Sequence, residues 1–132
     1  MSDLKSAKLF RDLPQAELKS IERQVKTVKH PAGYDIIVRG SDGVGFMIIT
    51  EGTVTVTTVQ GKSRTLGPGD SFGEMALLDH DGRSATVTAA TDVSLACIPE
   101  WNFQSFLKEH PTVAYRLLQV LSQRVRQAEG DN

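Results

Sequence analysis

The densest chemistry in this chain lies in Gly67-Pro68-Gly69-Asp70-Ser71-Phe72-Gly73-Glu74-Met75-Ala76-Leu77-Leu78, followed after Asp79-His80-Asp81-Gly82 by Arg83-Ser84-Ala85-Thr86-Val87. Glycines lead into an apolar run long enough for one or two turns of helix. The first turn of a helix leaves backbone N–H groups unpaired and carries the positive end of the dipole, which together favour a phosphate. Gly73 has no side chain to collide with a ligand drawn close to the backbone. Arg83, opening the next strand, offers a planar fork of donors matched to two phosphate oxygens. A glutamate beside a phosphate is repelled unless a hydroxyl donates to it, and a ribose 2′-hydroxyl is such a partner for Glu74.

Plainer roles compete with these. Glu74 and Arg83 could form a structural ion pair, although a buried ion pair stabilises less than apolar packing of the same volume. Phe72, Met75 and Leu77 suit a core before they suit a ligand. Gly40-Ser41-Asp42-Gly43-Val44-Gly45 lies between strands and opens no helix, so it reads as a turn. His30, His80 and His110 stand singly, without metal-ligand spacing, and read as surface or turn residues. Cys97, in an apolar strand, reads as a small core residue. No nucleophile sits beside a base, so no catalytic residue, metal or cofactor is expected, and a metal-binding cupin-type enzyme is the weakest alternative.

The elements that must position these residues follow from periodicity. Leu4, Ala7 and Leu9, then Leu18, Ile21 and Val25 after Pro14, recur at helical spacing, placing helices within residues 1–26. Residues 27–99 are short runs of Val, Ile and Thr punctuated by glycine, which predicts antiparallel strands. Thr53-Val54-Thr55-Val56-Thr57 alternates, with one buried and one wet face. Gly52 and Gln60-Gly61-Lys62 read as hairpin turns, and residues 83–89 and 93–98 read as a final hairpin around Asp92. Such short strands are expected to close on themselves as a barrel or jelly roll. Trp101, Phe103, Phe106 and Leu107 predict a short helix ending near His110-Pro111. Pro111 opens a longer helix whose apolar face is Ala114, Leu117, Leu118, Leu121, Val125 and Ala128, opposite Arg116, Gln119, Gln123 and Arg126.

At 132 residues the chain predicts a single domain, and with 39% hydrophobic and 23% charged residues its composition is that of an ordinary folded protein. Apolar runs too short to span a bilayer, no secretory leader and a lone cysteine predict a cytoplasmic location. Charge is nearly balanced at 15 basic and 16 acidic residues, but residues 31–100 carry 4 basic against 9 acidic, which makes Arg83 a cation in acidic surroundings and argues against direct DNA contact.

Phe72-Gly73-Glu74-Met75-Ala76-Leu77-Leu78 with Arg83-Ser84-Ala85-Thr86-Val87 resembles the phosphate-binding cassette of cyclic-nucleotide-binding domains. The likeness runs along nearly the whole chain, through the lead-in Leu9-Phe10-Arg11-Asp12-Leu13 and the turns Gly40-Ser41-Asp42-Gly43, Glu51-Gly52 and Gly67-Pro68-Gly69-Asp70. It implies a mainly β fold with flanking α: an antiparallel β-roll or jelly-roll barrel (a double-stranded β-helix), with N-terminal helices and two C-terminal helices. It further implies a ligand site of Phe72, Gly73, Glu74, Met75, Ala76, Arg83, Ser84 and Ala85. In that site Glu74 binds the ribose, Arg83, Ser84 and backbone N–H groups near Ala76 hold the cyclic phosphate, and the purine lies between the barrel and the last helix. Gly82 departs from the family's frequent proline. Ser84 is a hydroxyl of a kind that favours guanine in parts of the family, so cyclic AMP is the first expectation and cyclic GMP the second.

The function implied is a sensor that switches its last helix and signals to a protein effector in trans, or pairs that helix with a second copy. The competing expectation is a domain that has kept the roll as an interaction scaffold and binds no nucleotide.

Overall fold

The computed structural model describes residues 4, 7–37, 45–58, 61–73 and 85–128. A short 3-10 turn at Lys8–Phe10 leads to helix α1 (Gln15–Glu22), which begins just after Pro14. Eight strands follow: β1 (Lys26–His30), β2 (Asp35–Ile37), β3 (Gly45–Glu51), β4 (Val54–Thr58), β5 (Ser63–Leu66), β6 (Ser71–Phe72), β7 (Ala85–Ala89) and β8 (Val93–Pro99). The described chain finishes with α2 (Glu100–Glu109) and α3 (Pro111–Ala128). All the strand pairs are antiparallel, in two four-stranded sheets ordered β1-β8-β3-β6 and β2-β7-β4-β5.

The mainly β roll with flanking helices is as expected, but the sheets are not closed into a barrel, and two of the expected hairpins are corners. Among the described residues, only β4 and β5 are neighbours in both chain and sheet, paired from Val54↔Leu66 to Thr57↔Ser63. Their turn is held by the Thr58 N–H on the Lys62 carbonyl at 2.9 Å, which makes the reading around Gly61 correct. At Gly52 the chain instead leaves the first sheet for the second, and at Thr91-Asp92 it returns, so β7 and β8 do not pair. The two corners brace each other: Thr53 N–H donates to Thr91 Oγ1 at 3.0 Å, and Ala90 N–H to the Thr53 carbonyl at 3.0 Å. Gly52 has φ +87°, and a Cβ there would sit 2.2 Å from the Asp92 carbonyl oxygen, so the corner admits only glycine.

The two sheets differ in burial, and the sequence shows why. Val54 and Val56 of β4 face inward between threonines that remain half-buried. In β3, Met47 and Ile49 join an inner cluster between the sheets, whereas Phe46 and Ile48 join an outer cluster under the helices. β8 divides likewise, Leu95 and Cys97 inward, Ala96 and Ile98 outward. A strand covered on both faces has no wet side, which is why Gly45–Ile49 and Leu95–Ile98 read as continuous apolar runs rather than alternating ones.

The outer cluster is where the helices dock. Phe103 and Phe106 of α2 and Val113 and Leu117 of α3 are buried against it with Phe10 and Ile21. Two expectations about helix faces are corrected here. Trp101 is 82% exposed, because α2 turns Phe103 and Phe106 to the sheet and leaves position 101 on the far side. Leu118 and Val125 are 62% and 53% exposed, so the apolar residues of α3 form two stripes: Val113, Leu117, Val120 and Leu121 toward the core, and Tyr115, Leu118 and Val125 toward solvent. Arg116, placed by periodicity on the polar face, donates to the carbonyls of Leu9 (3.2 Å) and Arg11, tying α3 to the N-terminal turn. No helix among the described residues is long and apolar enough to cross a membrane.

Candidate functional site

The two ends of the glycine-rich segment are anchored in different sheets. Phe72 ends β6 opposite Met47 of β3 and is buried in the inner cluster. Gly73 follows with φ +96°, a left-handed backbone that suits glycine. The chain re-enters at Ala85, the first residue of β7, opposite Thr58 of β4 in the second sheet and packed against the inner cluster. Glu74, Met75, Ala76, Arg83 and Ser84 lie outside the described residues, as do residues 38–44 with the Gly40–Gly43 turn. The structure therefore brings Phe72, Gly73 and Ala85 to the rim of the inner cluster, at the points where the 74–84 segment departs and returns.

The turn before β6 is rigid for identifiable reasons. The Gly67 N–H donates to Asp70 Oδ2 at 2.9 Å, and the Asp70 N–H returns a bond to the Gly67 carbonyl at 3.0 Å. Gly69, at φ +92°, makes the bend affordable to the backbone. The turn is then bolted to β3, with Gly69 N–H on the Ile49 carbonyl and Ile49 N–H on the Asp70 carbonyl. Lys8 Nζ meets Asp70 Oδ1 at 2.6 Å. Burial by itself would raise the Asp70 pKa. The Lys8 ammonium, the Gly67 N–H and the positive field of Lys8 and Arg124 outweigh it and hold the carboxyl below its ordinary value.

Beside this turn, α3 forms the other wall of a groove of about 360 Å³ lined by Arg64 and Leu66 of β5, Asp70, Ser71, and Val120, Gln123, Arg124 and Gln127 of α3. Arg124 Nη2 donates to the Ser71 carbonyl at 2.6 Å, directly before Phe72-Gly73. Arg64 pairs with Val56 in register, as Leu66 pairs with Val54, so Arg64 shares the inward face of β5 at the groove's mouth. Chemically, the groove combines guanidinium and amide donors from Arg64, Arg124, Gln123 and Gln127 with the Lys8–Asp70 ion pair and the apolar side chains of Leu66 and Val120. Sequence reasoning missed Arg64 and Arg124. The inward parity of β5, readable from Leu66, would have pointed to the first; nothing local would have placed Arg124 on β6.

Comparison with known proteins gives the family and the fold. A family model described as the cyclic nucleotide-binding domain matches residues 27–110. The cyclic AMP receptor protein of Thermus thermophilus is 31% identical over 131 residues, covering 96% of this chain and 61% of that protein. A cyclic nucleotide-gated potassium channel of Rhizobium etli is 42% identical over 106 residues, 80% of this chain and 30% of the channel. The crystal structure of the Thermus thermophilus catabolite activator protein superposes with a TM-score of 0.81 at 31% identity, covering 93% of this chain and 60% of that one. The chain thus spans less than two thirds of the length of each of these proteins.

Proposed function

Since this chain belongs to the cyclic nucleotide-binding domain family, we propose that it is a regulatory module that binds a cyclic nucleotide and transmits its occupancy through α3, with no chemistry done on the ligand. The observation that carries this reading is where the described residues flanking 74–84 lie: Gly73 follows β6 of the first sheet, Ala85 opens β7 of the second, and Ser71 of β6 lines a groove whose second wall is α3. In this proposal Glu74 accepts from the ribose 2′-hydroxyl, Arg83 and Ser84 hold the cyclic phosphate with backbone N–H groups near Ala76, and the base lies against Leu66 under α3. Cyclic AMP is the first candidate, supported by the cyclic AMP receptor protein among the relatives; cyclic GMP is the second.

A ligand that touches both the 73–85 segment and α3 binds the closed arrangement better than the open one, and that differential affinity is the signal. The receiver in this proposal is a second copy of the chain or a protein effector in trans. Tyr115, Leu118, Ser122 and Val125 recur at intervals of three and four on the exposed side of α3, the spacing of a helix-pairing seam, which favours the second copy.

The test is a thermal-melt series with cyclic AMP, cyclic GMP and the linear 5′-monophosphates on the native protein and Arg83→Ala. Ligand at about a hundred times its dissociation constant adds about 2.7 kcal/mol, a rise of several degrees in a domain of this size. A rise with one cyclic nucleotide, lost in the variant, is expected. No rise with any of them would transfer the protein to the scaffold reading.

A further inference from the structure

His110, expected at the surface, is 4% exposed, and both of its ring nitrogens have partners. It is the single residue between α2 and α3: its N–H closes α2 on the Phe106 carbonyl, and its own carbonyl accepts the Ala114 N–H that opens α3. Its ring packs on Phe106 with centroids 5.0 Å apart. Nδ1 lies 2.8 Å from Glu17 Oε2 on α1, and Nε2 lies 3.4 Å from Gln24 Nε2, just past the end of α1. That Gln24 amide nitrogen also reaches the Ser20 carbonyl and Glu109 Oε1, each at 3.4 Å, while Gln24 Oε1 accepts from Asn102 Nδ2 at 3.4 Å. The charged groups around the ring are therefore Glu17 from α1 and, across Gln24, Glu109 from α2; among the described residues no cation bonds to it.

We infer that His110 is a proton-operated switch that couples α1 to the joint between α2 and α3. The arrangement suits a ring with its proton on Nδ1: Nδ1–H donates to Glu17, and a bare Nε2 faces the Gln24 NH₂, whose two hydrogens are shared among Nε2, the Ser20 carbonyl and Glu109. A second proton on Nε2 sets N–H against NH₂, so Gln24 must turn its oxygen to the ring. Turning it withdraws the acceptor from Asn102, removes the donor from Glu109 and from the Ser20 carbonyl, and brings an amide oxygen toward both of those acceptors. The same proton converts the bond to Glu17 into an ion pair. Protonation thus tightens the joint to α1 and loosens its hold on the end of α2, at the residue whose backbone angles set the direction of α3. This device does not depend on whether a nucleotide is bound.

The experiment is a nitrogen-15 NMR titration of the ligand-free protein between about pH 8 and pH 5, the range in which imidazoles change charge. The readouts are the side-chain NH₂ signals of Gln24 and Asn102, the backbone N–H of Ala114 and the His110 ring. All four are expected to move with one midpoint, and the first three to stay flat in His110→Gln. Amide signals that stay still while the ring titrates, a ring that does not titrate in this range, or movement that survives in His110→Gln would overturn the inference. Should His110→Gln fail to fold, Glu17→Gln keeps the ring and removes its charged partner. Its midpoint must then fall to lower pH, and an unchanged midpoint overturns the inference as well.

Discussion

Removing a single guanidinium separates an anchor from a bystander. Arg83→Ala is expected to weaken cyclic nucleotide binding by roughly 2 to 5 kcal/mol, because it leaves a desolvated phosphate charge without its partner. Titration calorimetry reads this directly, and a loss below about tenfold, or 1.4 kcal/mol, would remove Arg83 from that role. Glu74→Gln should cost less, since an amide oxygen still accepts from a hydroxyl; a larger loss than in Arg83→Ala would reverse the two assignments. Asp70 supplies a pH prediction of definite sign. Its folded pKa lies below the unfolded one, so the unfolded chain takes up the proton first as pH falls. The stability it contributes is complete above about pH 4 and is lost as pH drops through the lower folded value. Urea midpoints at neutral pH and near pH 3 should therefore fall further in the native protein than in Asp70→Asn. Parallel falls would show that the Lys8 contact does not hold the carboxylate.

At the scale of the element, the corner at Gly52 and the helix α3 make the clearest demands. Gly52→Ala puts a Cβ into the Asp92 carbonyl at an unfavourable φ, and is expected to cost on the order of 2 to 4 kcal/mol, visible as a lowered melting midpoint. A variant that melts with the native protein would mean that the corner rearranges freely. For α3, the two apolar stripes predict opposite outcomes for neighbouring positions. Leu118→Glu touches only the exposed stripe and, under the proposed pairing of α3 with a second copy, should abolish self-association in sedimentation equilibrium while leaving the folded monomer intact. Leu117→Glu buries a charge in the outer cluster and should unfold the helix from the roll. A monomeric native protein would sink the pairing reading and leave an effector of another kind.

Across the whole molecule, the first sheet lies between two cores. β3 and β8 give alternate residues to the inner cluster that borders the site and to the outer cluster that seats the helices. The outer face of that sheet holds Phe106, fully buried, and Val113. Phe106→Ala should destabilise the fold by about 3 to 5 kcal/mol. Because Phe106 also carries the His110 ring, that variant should blur the joint between α2 and α3 as well.

The chain's own residues determined the order of elements, the short strands, the breaks at Pro14 and His110-Pro111, and the family likeness of the 72–87 segment. Those signals are local: a proline's fixed φ, the alternation of Val54 and Val56, a glycine before a short apolar turn. What they could not determine was which strands meet. Glycine at position 52 signals a bend, but a hairpin and a sheet-to-sheet corner ask the same of one residue, and only the register of β4 on β7 separates them. Likewise, helical spacing assigned Leu117 and Leu118 to one broad face, whereas the outer cluster covers only Leu117. The burial of His110 between Glu17 and Gln24, partners more than eighty residues away along the chain, and the reach of Arg124 to Ser71 were decided by tertiary structure alone. A side chain's partners across such distances are chosen by packing, and no spacing rule within one segment encodes them.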